Sequence, residues 1–159
     1  MISPICLRLL RMVSMENKLI YLAGGISNLS RDEQWQWRKD VRNKILESIN
    51  FYGYDYMPMF FNPLMHYTVD DEIHKSEREV FELETYNVRK SDLVIVNFNA
   101  PESIGTAMEL AIAKENRIPV AGLNEDNVEL HPWLIECTTR MCDTFDELID
   151  YVACQHLMA

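Results

Sequence analysis

The chain has 159 residues, of which 48% are hydrophobic, and it carries a formal net charge of −10. A chain of this length is expected to form one domain with an ordinary hydrophobic core. The negative charge argues against nonspecific binding to DNA, RNA or an anionic membrane. No apolar run is long enough to span a bilayer. We therefore expect neither a nucleic-acid polymer nor a membrane among its partners.

The cysteines give no sign of a disulfide framework or a zinc site. Cys6, Cys137, Cys142 and Cys154 form no CxxC pair and have no zinc-ligand spacing. Reduced thiols are typical of a cytosolic protein, so we predict a cytoplasmic location.

The first 15 residues are basic and apolar. Arg8 and Arg11 interrupt the apolar stretch, and no small-residue cleavage site follows it, so a targeting signal is not indicated. We expect residues 1–15 to form a disordered or loosely docked extension. Residues 16–159 are expected to form a single domain.

The first half of this domain predicts two strands and one long helix. An apolar run predicts a buried strand at residues 18–23, and a second strand is plausible at residues 54–58. Between them a helix is predicted from Ser30 to about residue 50. Residues 60–75 read as a long irregular segment. The predicted buried stripe of the helix consists of Trp37, Val41, Ile45 and Ile49.

Strands and helices alternate through the second half as well. The order is helix, strand, helix, strand, short helix, edge strand and helix, at residues 76–90, 93–98, 106–116, 118–123, 131–139, 140–142 and 144–155. Such alternation implies parallel βαβ units with right-handed crossovers. We predict an α/β fold with a doubly wound parallel sheet of flavodoxin-like type, with about five strands in the order 2-1-3-4-5.

This strand order places a ligand cleft between the first and third strands. Open parallel sheets bind ligands beyond the carboxyl ends of their strands, at the point where the strand order reverses. The first strand leads into Gly24 and Gly25, and the third leads into residues 97–109. We expect these two segments to meet at one cleft.

Glu109 is the leading candidate for chemistry. It lies just inside the helix that follows the buried strand, and the partial positive charge of a helix start is expected to keep a carboxylate ionised. Such a carboxylate can attack an electrophilic sugar carbon and hold a covalent glycosyl intermediate. Alternatively, Thr106-x-x-Glu109 is a capping box in which the glutamate only bonds back to the helix start. Tyr21, on the first strand, could hold this carboxylate by a hydrogen bond or be an ordinary strand tyrosine.

Glu84 is a second candidate carboxylate. It lies between Phe81 and Val88 at helical spacing, in line with residues that are expected to face the core. A buried charge is costly, so it needs a partner or a function. The structural alternative is a local ion pair with Arg78 or Arg89.

Two loops hold the candidate ligand-binding residues. Glycines let a ligand approach the backbone, and polar side chains near a helix start can bind phosphate or sugar hydroxyls. The same residues are also common in ordinary turns. The candidates are Gly24, Gly25, Ser27, Asn28 and Arg31 after the first strand, and Ser103 and Gly105 before Glu109.

The segment from Tyr56 to Tyr67 is rich in methionine and aromatic residues. Such a surface can pack against a nucleobase, belong to the core or meet a second subunit. A metal site can be imagined in and just after this segment, but nothing fixes its geometry. Its ligands would be His66, Asp70, Asp71 and His74. We predict no metal and no cofactor.

Taken together, these segments resemble the nucleoside 2-deoxyribosyltransferase superfamily, which includes nucleoside 5′-monophosphate N-glycosidases. The resemblance runs from Lys18 to about Val152. The segments that carry it are Ile20-Tyr21-Leu22-Ala23-Gly24-Gly25-Ile26-Ser27, Ser91-Asp92-Leu93-Val94-Ile95-Val96 and Gly105-Thr106-Ala107-Met108-Glu109-Leu110-Ala111.

The resemblance implies a role for each of the main candidates. It makes Glu109 the nucleophile and Tyr21 the residue that orients it. Glu84 stands where the family carries a proton-transferring aspartate, which is a departure. Ser103 stands where the transferases carry an aspartate and the monophosphate hydrolases a serine that receives the 5′-phosphate. Arg31, with Asn28, loosely matches the family's phosphate loop.

The resemblance also predicts an activity and an assembly. The expected reaction cleaves the N-glycosidic bond of a 2′-deoxynucleoside or its 5′-monophosphate through a glycosyl-enzyme, with hydrolysis or transfer to another base. The alternatives are an N-glycosidase acting on a ribonucleotide or NAD-like dinucleotide, and a non-catalytic nucleotide-binding module. A homo-oligomer is expected, because family members pair so that a neighbour helps to close each site.

Overall fold

The computed structural model describes residues 17–54, 57–67 and 76–157, so the expected extension at residues 1–15 lies outside the described part. Its centre is a five-stranded parallel sheet in the order β2-β1-β3-β4-β5. This confirms the predicted fold class and strand order. The strands are β1 (Leu19–Gly24), β2 (Met59–Phe61), β3 (Leu93–Asn97), β4 (Val120–Leu123) and β5 (Arg140–Cys142).

Helices cover both faces of the sheet. Because side chains alternate along a strand, Ile20 and Leu22 of β1 join a core on one face, and Tyr21 and Ala23 join a core on the other. The helices are α1 (Arg31–Phe51), α2 (Leu64–Tyr67), α3 (Glu77–Lys90), α4 (Ile104–Glu115), α5 (Pro132–Cys137) and α6 (Phe145–Tyr151), and a π-helix follows at Val152–Leu157.

The long helix α1 matches its sequence signals. Ser30 caps it, and Glu33 bonds back to the Ser30 N–H to complete a capping box. The predicted stripe is buried along its length: Trp37, Val41, Ile45 and Ile49. The helix thereby packs one face on the sheet and begins at the end of β1, where the predicted cleft lies.

Two predicted boundaries are wrong. The second strand was expected at residues 54–58, but β2 is Met59–Phe61, which overlaps the segment at residues 60–75 predicted to be irregular. Three residues are too few to show a period of two, so the pattern did not reveal this strand. The short helix α2 (Leu64–Tyr67) also lies in that segment. The helix predicted from Thr106 begins at Ile104, because Ser103 rather than Thr106 is its N-cap.

Other sequence expectations concern membranes and thiols. Within the described ranges, no helix is long and apolar enough to cross a membrane. The three cysteines in these ranges, Cys137, Cys142 and Cys154, are free thiols.

Candidate active site

Tyr21 and Glu109 form a buried hydrogen bond at the centre of the molecule. The Tyr21 hydroxyl donates to Oε1 of Glu109 at 2.6 Å. Tyr21 has no exposed surface, and its ring stacks on Phe61 of β2 with centroids 5.1 Å apart and planes 15° apart. The hydrogen bond expected from the sequence is therefore present, and the stack on Phe61 helps to fix the direction of the phenol.

Glu109 is not the capping residue of its helix. The Ser103 hydroxyl accepts from the Thr106 N–H and caps α4, and the Glu109 side chain instead bonds to Tyr21. The capping-box alternative for Thr106 and Glu109 is therefore wrong. Glu109 is the sixth residue of α4, beyond the first turn to which the helix-start effect is confined.

The expectation that the helix start keeps Glu109 ionised is also wrong for this structure. Its pKa is raised to about 8, mainly by burial and to a smaller extent by the like charge of Glu84. The hydrogen bond from Tyr21 and the positive charge of Arg38 act in the opposite direction. The carboxyl therefore titrates near neutral pH, where small changes in its surroundings alter its charge.

The Tyr21 phenol itself stays protonated. Burial, followed by the negative charges of Glu109 and Glu84, raises its pKa far above the ordinary value. It therefore acts as a hydrogen-bond donor, and it can hold one carboxylate oxygen of Glu109 without competing for the proton.

Arg38 is a buried cation beside this pair. Its guanidinium donates to the carbonyl oxygens of Leu22 (3.4 Å), Gln34 (2.6 Å) and Gly24 (3.0 Å). Its Cζ lies 4.5 Å from the centroid of the Trp37 ring. Burial lowers its pKa to about 10, and the negative charge of Glu109 opposes that change. At neutral pH Arg38 is therefore positively charged behind the end of β1.

A cleft of about 330 Å³ opens beside Glu109. This volume falls within the range of about 300–1,000 Å³ that is common for small-molecule sites. Two predicted carboxylates, Glu84 and Glu109, line it together, although they lie on different helices. The lining residues are Gly24, Ile26, Ser27, Asn28, Glu84, Glu102, Ser103, Ile104, Gly105, Thr106 and Glu109.

Glu84 reaches this cleft from α3. It is half-buried, whereas Phe81, expected to share its core-facing side, is 46% exposed. Arg78, one of the two suggested ion-pair partners, pairs with Glu82 instead. The structure therefore gives Glu84 a position at the cleft edge rather than in the core.

Gly24 and Gly25 let the two loops approach each other. Gly24 has a φ of 151°, which side-chain-bearing residues rarely adopt, and its carbonyl accepts from Arg38. A Cβ on Gly25 would lie 2.4 Å from the Ala100 Cβ, so any side chain there would push the β1 and β3 loops apart. Gly25 thus shapes the cleft without lining it.

The remaining predicted residues divide into two groups. Ser27, Asn28, Ser103 and Gly105 line the cleft, and Ser103 and Gly105 lie at the start of α4. Arg31 does not line this cleft; it borders a separate surface pocket with Asp32, Trp35 and Lys39.

Most of the imagined metal site lies outside the described residues. His66 lies in α2, its side chain is outside the description, and Asp70, Asp71 and His74 lie outside the described residues. Among the residues that the structure does describe, no group of three potential ligands could hold a metal ion.

Sequence reasoning missed two residues of the site, Glu102 and Arg38. Glu102 adds a third carboxylate to the cleft. Arg38 carried a detectable signal, because it precedes Val41 and Ile45 by three and seven residues and so shares their buried face. A charged residue on a buried face indicates a site that needs its charge.

Solved structures share this fold over most of their length. A 2-deoxyribosyltransferase from Bacillus psychrosaccharolyticus is 18% identical, with 84% of this chain and 91% of that chain covered and a TM-score of 0.61. A 2-deoxyribosyltransferase from Leishmania mexicana is 21% identical, with 88% of this chain and 99% of that chain covered and a TM-score of 0.57. The CMP N-glycosidase of Clostridium botulinum is 15% identical, with 85% of this chain and 97% of that chain covered and a TM-score of 0.52.

The resemblance found in the sequence is thereby confirmed at the level of the fold. The chain has the fold of nucleoside 2-deoxyribosyltransferase and CMP N-glycosidase structures. No protein-family model and no curated protein matches the chain in sequence.

Proposed function

We propose that this protein cleaves the N-glycosidic bond of a 2′-deoxynucleoside, with Glu109 as the nucleophile. The observation that carries the proposal is the buried hydrogen bond from Tyr21 to Glu109 at the edge of the cleft. A carboxylate fixed by a protonated phenol, with a second carboxylate across the cleft, suits a reaction at a sugar carbon. The fold shared with deoxyribosyltransferase and N-glycosidase structures supports the same reaction class.

The first step would form a glycosyl-enzyme. A carboxylate oxygen of Glu109 attacks C1′ of the sugar, the bond between C1′ and the base nitrogen breaks, and its electron pair leaves with the base. Glu84, when protonated, supplies a proton to the departing base. The Tyr21 hydroxyl keeps the other carboxylate oxygen in place throughout.

The second step would release the sugar. Water attacks C1′, the ester bond to Glu109 breaks, and the Glu84 carboxylate takes the proton from the water. If a second base occupies the cleft, its nitrogen attacks C1′ instead, and the product is a new nucleoside. Hydrolysis and transfer therefore use the same intermediate, and access of water to the cleft decides between them.

The charge of the cleft favours an uncharged nucleoside over its 5′-monophosphate. Glu84, Glu102 and Glu109 line the cleft, and among the described residues no lysine or arginine does so. These carboxylates would repel a phosphate. The Ser103 hydroxyl, which the resemblance assigns to the phosphate, is engaged with the backbone N–H and the hydroxyl of Thr106.

We further propose a homo-oligomer. Next to the cleft an apolar groove is lined by Ile104, Met108 and Trp133, which are 77%, 43% and 77% exposed. Exposed apolar surface beside a small-molecule site is typical of an interface, and a second copy of this chain would cover it. In the methionine- and aromatic-rich segment, Phe60 packs on the core and Phe61 on Tyr21, but Met57, Met59 and Met65 are 64%, 57% and 54% exposed and offer a second apolar surface. A cytoplasmic location remains our expectation.

The test of the proposed function is release of free base. Purified protein is incubated separately with 2′-deoxynucleosides, their 5′-monophosphates, ribonucleotides and NAD, and each reaction is followed by chromatography. We expect base from deoxynucleosides, and none when Glu109→Gln replaces the wild type. Base from ribonucleotides or NAD alone would favour the other N-glycosidase. Thermal stabilisation by nucleotides without any base release would leave only the non-catalytic binding module.

A further inference from the structure

On the side that faces β2, the last residues of β1 have no neighbouring strand. Carbonyl groups alternate along the strand: the Lys18 oxygen accepts from Met59 on the β2 side, and the Leu19 oxygen accepts from Asp92 on the β3 side. The carbonyls of Leu22 and Gly24 therefore point to the β2 side.

The neighbouring strand stops before it reaches these carbonyls. The pairing of β1 with β2 ends at Tyr21 and Phe61. By the same alternation, the next donor from this side would come from position 63, which is Pro63 and has no N–H. The edge of β1 beyond Tyr21 thus needs hydrogen-bond donors from elsewhere.

Arg38 supplies those donors. Its Nε donates to Leu22 and one terminal nitrogen donates to Gly24, which continues the ladder that β2 leaves unfinished. The other terminal nitrogen donates to Gln34 of the same helix and ties the guanidinium to α1. One side chain therefore fixes the end of β1, directly after Tyr21.

An uncharged side chain could also donate hydrogen bonds to the carbonyls of Leu22 and Gly24. The positive charge of Arg38 therefore needs a separate explanation. Arg38 is 1% exposed, and within the described residues no ion pair joins it to a carboxylate. Burying a cation without a direct counterion is costly. The negative charges that act on it are those of Glu109, Tyr21 when ionised, and Glu84, all at the candidate site.

We propose that Arg38 is a positioning residue of the site: it completes the edge of β1 beyond Tyr21 and supplies the positive charge that offsets the carboxylates of buried Glu109 and half-buried Glu84. This inference rests on the proposed function. It adds a residue that touches no substrate and acts through the strand and through charge.

Glu109 has charged or titratable neighbours on three elements. Tyr21 faces it from β1, Glu84 from α3 and Arg38 from α1. Removing the Arg38 charge leaves the Glu84 charge unopposed, so Glu109 holds its proton more tightly. A residue with a purely structural role would change stability and leave the Glu109 titration where it is.

The experiment titrates Glu109 directly. The protein carries glutamate labelled with ¹³C at the side-chain carboxyl, the Glu109 signal is assigned by its loss in Glu109→Gln, and its shift is followed from pH 5 to 9.5. Arg38→Gln keeps hydrogen-bond donors and removes the charge, Arg38→Lys keeps the charge, and Arg42→Met removes an exposed charge from the same helix.

We expect Arg38→Gln to move the Glu109 midpoint upward by about one pH unit or more, and Arg38→Lys and Arg42→Met to leave it near the wild-type value. A folded Arg38→Gln protein with an unchanged midpoint would overturn the proposal. This readout needs no turnover, so it stays separate from the base-release test: absence of base release refutes the proposed function and leaves the charge coupling to be judged by the titration.

A double-mutant cycle covers the case in which Arg38→Gln is too unstable to titrate. Arg38→Gln, which removes the charge, is combined with Glu109→Gln, and the free energy of unfolding is measured with denaturant at pH 5 and pH 9. If the two groups interact by charge and geometry, the coupling is larger at pH 9, where Glu109 is ionised. Equal coupling at both pH values would contradict the proposal.

Discussion

The hydroxyl of Tyr21 and the carboxyl of Glu109 lie 2.6 Å apart although 88 residues separate them in the chain. The hydrogen bond joins the first strand to the helix that follows the third strand, across the point where the strand order reverses. Both groups are buried, so water competes little for either. This pair is the part of the molecule from which the proposed chemistry follows.

Replacement of Glu109 by glutamine should abolish the reaction. Glutamine keeps the size of the side chain and can still accept a hydrogen bond from Tyr21, but its amide is not a nucleophile. We expect base release to fall by about 10³-fold or more. The matched control is Glu115→Gln, on the exposed end of the same helix, which should retain wild-type rates.

The rate should first rise with pH. Only the ionised form of Glu109 can attack, and with a pKa of about 8 only about one tenth of it is ionised at pH 7. Because the departing base also needs a proton from Glu84, we expect kcat/KM to rise from pH 6 towards pH 8 as Glu109 ionises, and to fall again at higher pH once Glu84 is deprotonated as well. A profile that is flat over this range would show that ionisation of Glu109 does not limit the reaction.

Glu84→Gln should move that profile to lower pH. The negative charge of Glu84 raises the pKa of Glu109, so removing it allows Glu109 to ionise more easily. The maximal rate should fall at the same time, because the departing base loses its proton donor. Glu77→Gln, an exposed change in the first turn of the same helix, is the control for both effects.

Tyr21→Phe should act in the opposite direction on the pH profile. Without the phenol hydroxyl, Glu109 loses the hydrogen bond that lowers its pKa, so the midpoint should rise. We expect kcat to fall about 10- to 100-fold, since the carboxylate is no longer held in place. The exposed Tyr86→Phe should change neither quantity. An unchanged midpoint in Tyr21→Phe would show that Tyr21 does not influence the ionisation of Glu109.

The stability of the protein should also depend on Glu109. Its pKa is raised in the folded state, so the folded protein binds the proton more tightly than the unfolded chain. The stabilisation is fully present below the ordinary glutamate pKa of about 4.5 and is lost as the pH rises through about 8. The Tm of Glu109→Gln minus the Tm of the wild type should therefore be more positive at pH 9 than at pH 5. The same Tm difference at both pH values would contradict this.

Much of the fold could be predicted because its signals are strong. The buried stripe of α1, the apolar strands β1, β3 and β4, and the regular alternation of strands and helices all have clear periods. Strand β2 was misplaced because it is short and lies at the sheet edge, where pairing with β1 rather than local pattern defines it. The position of α4 depended on which of two residues, Ser103 or Thr106, caps it.

Most residues of the site could be predicted from the sequence, but the ionisation state of Glu109 could not. The order of strands brought Tyr21 and Glu109 to one cleft, as expected. The ionisation of Glu109 depends on burial and on the charges of Glu84 and Arg38, which lie on two other helices and whose proximity has no signature in a linear pattern. Arg31 was expected at the cleft because it is close in sequence to Gly24, but α1 carries it to another surface.

The most direct test of the central claim is mass spectrometry of the protein quenched during turnover of a 2′-deoxynucleoside. We predict one deoxyribosyl group attached through an ester to the peptide that contains Glu109, and no such group in Glu109→Gln. Base release by the wild type with no adduct at Glu109, or with the adduct on another residue, would contradict the account.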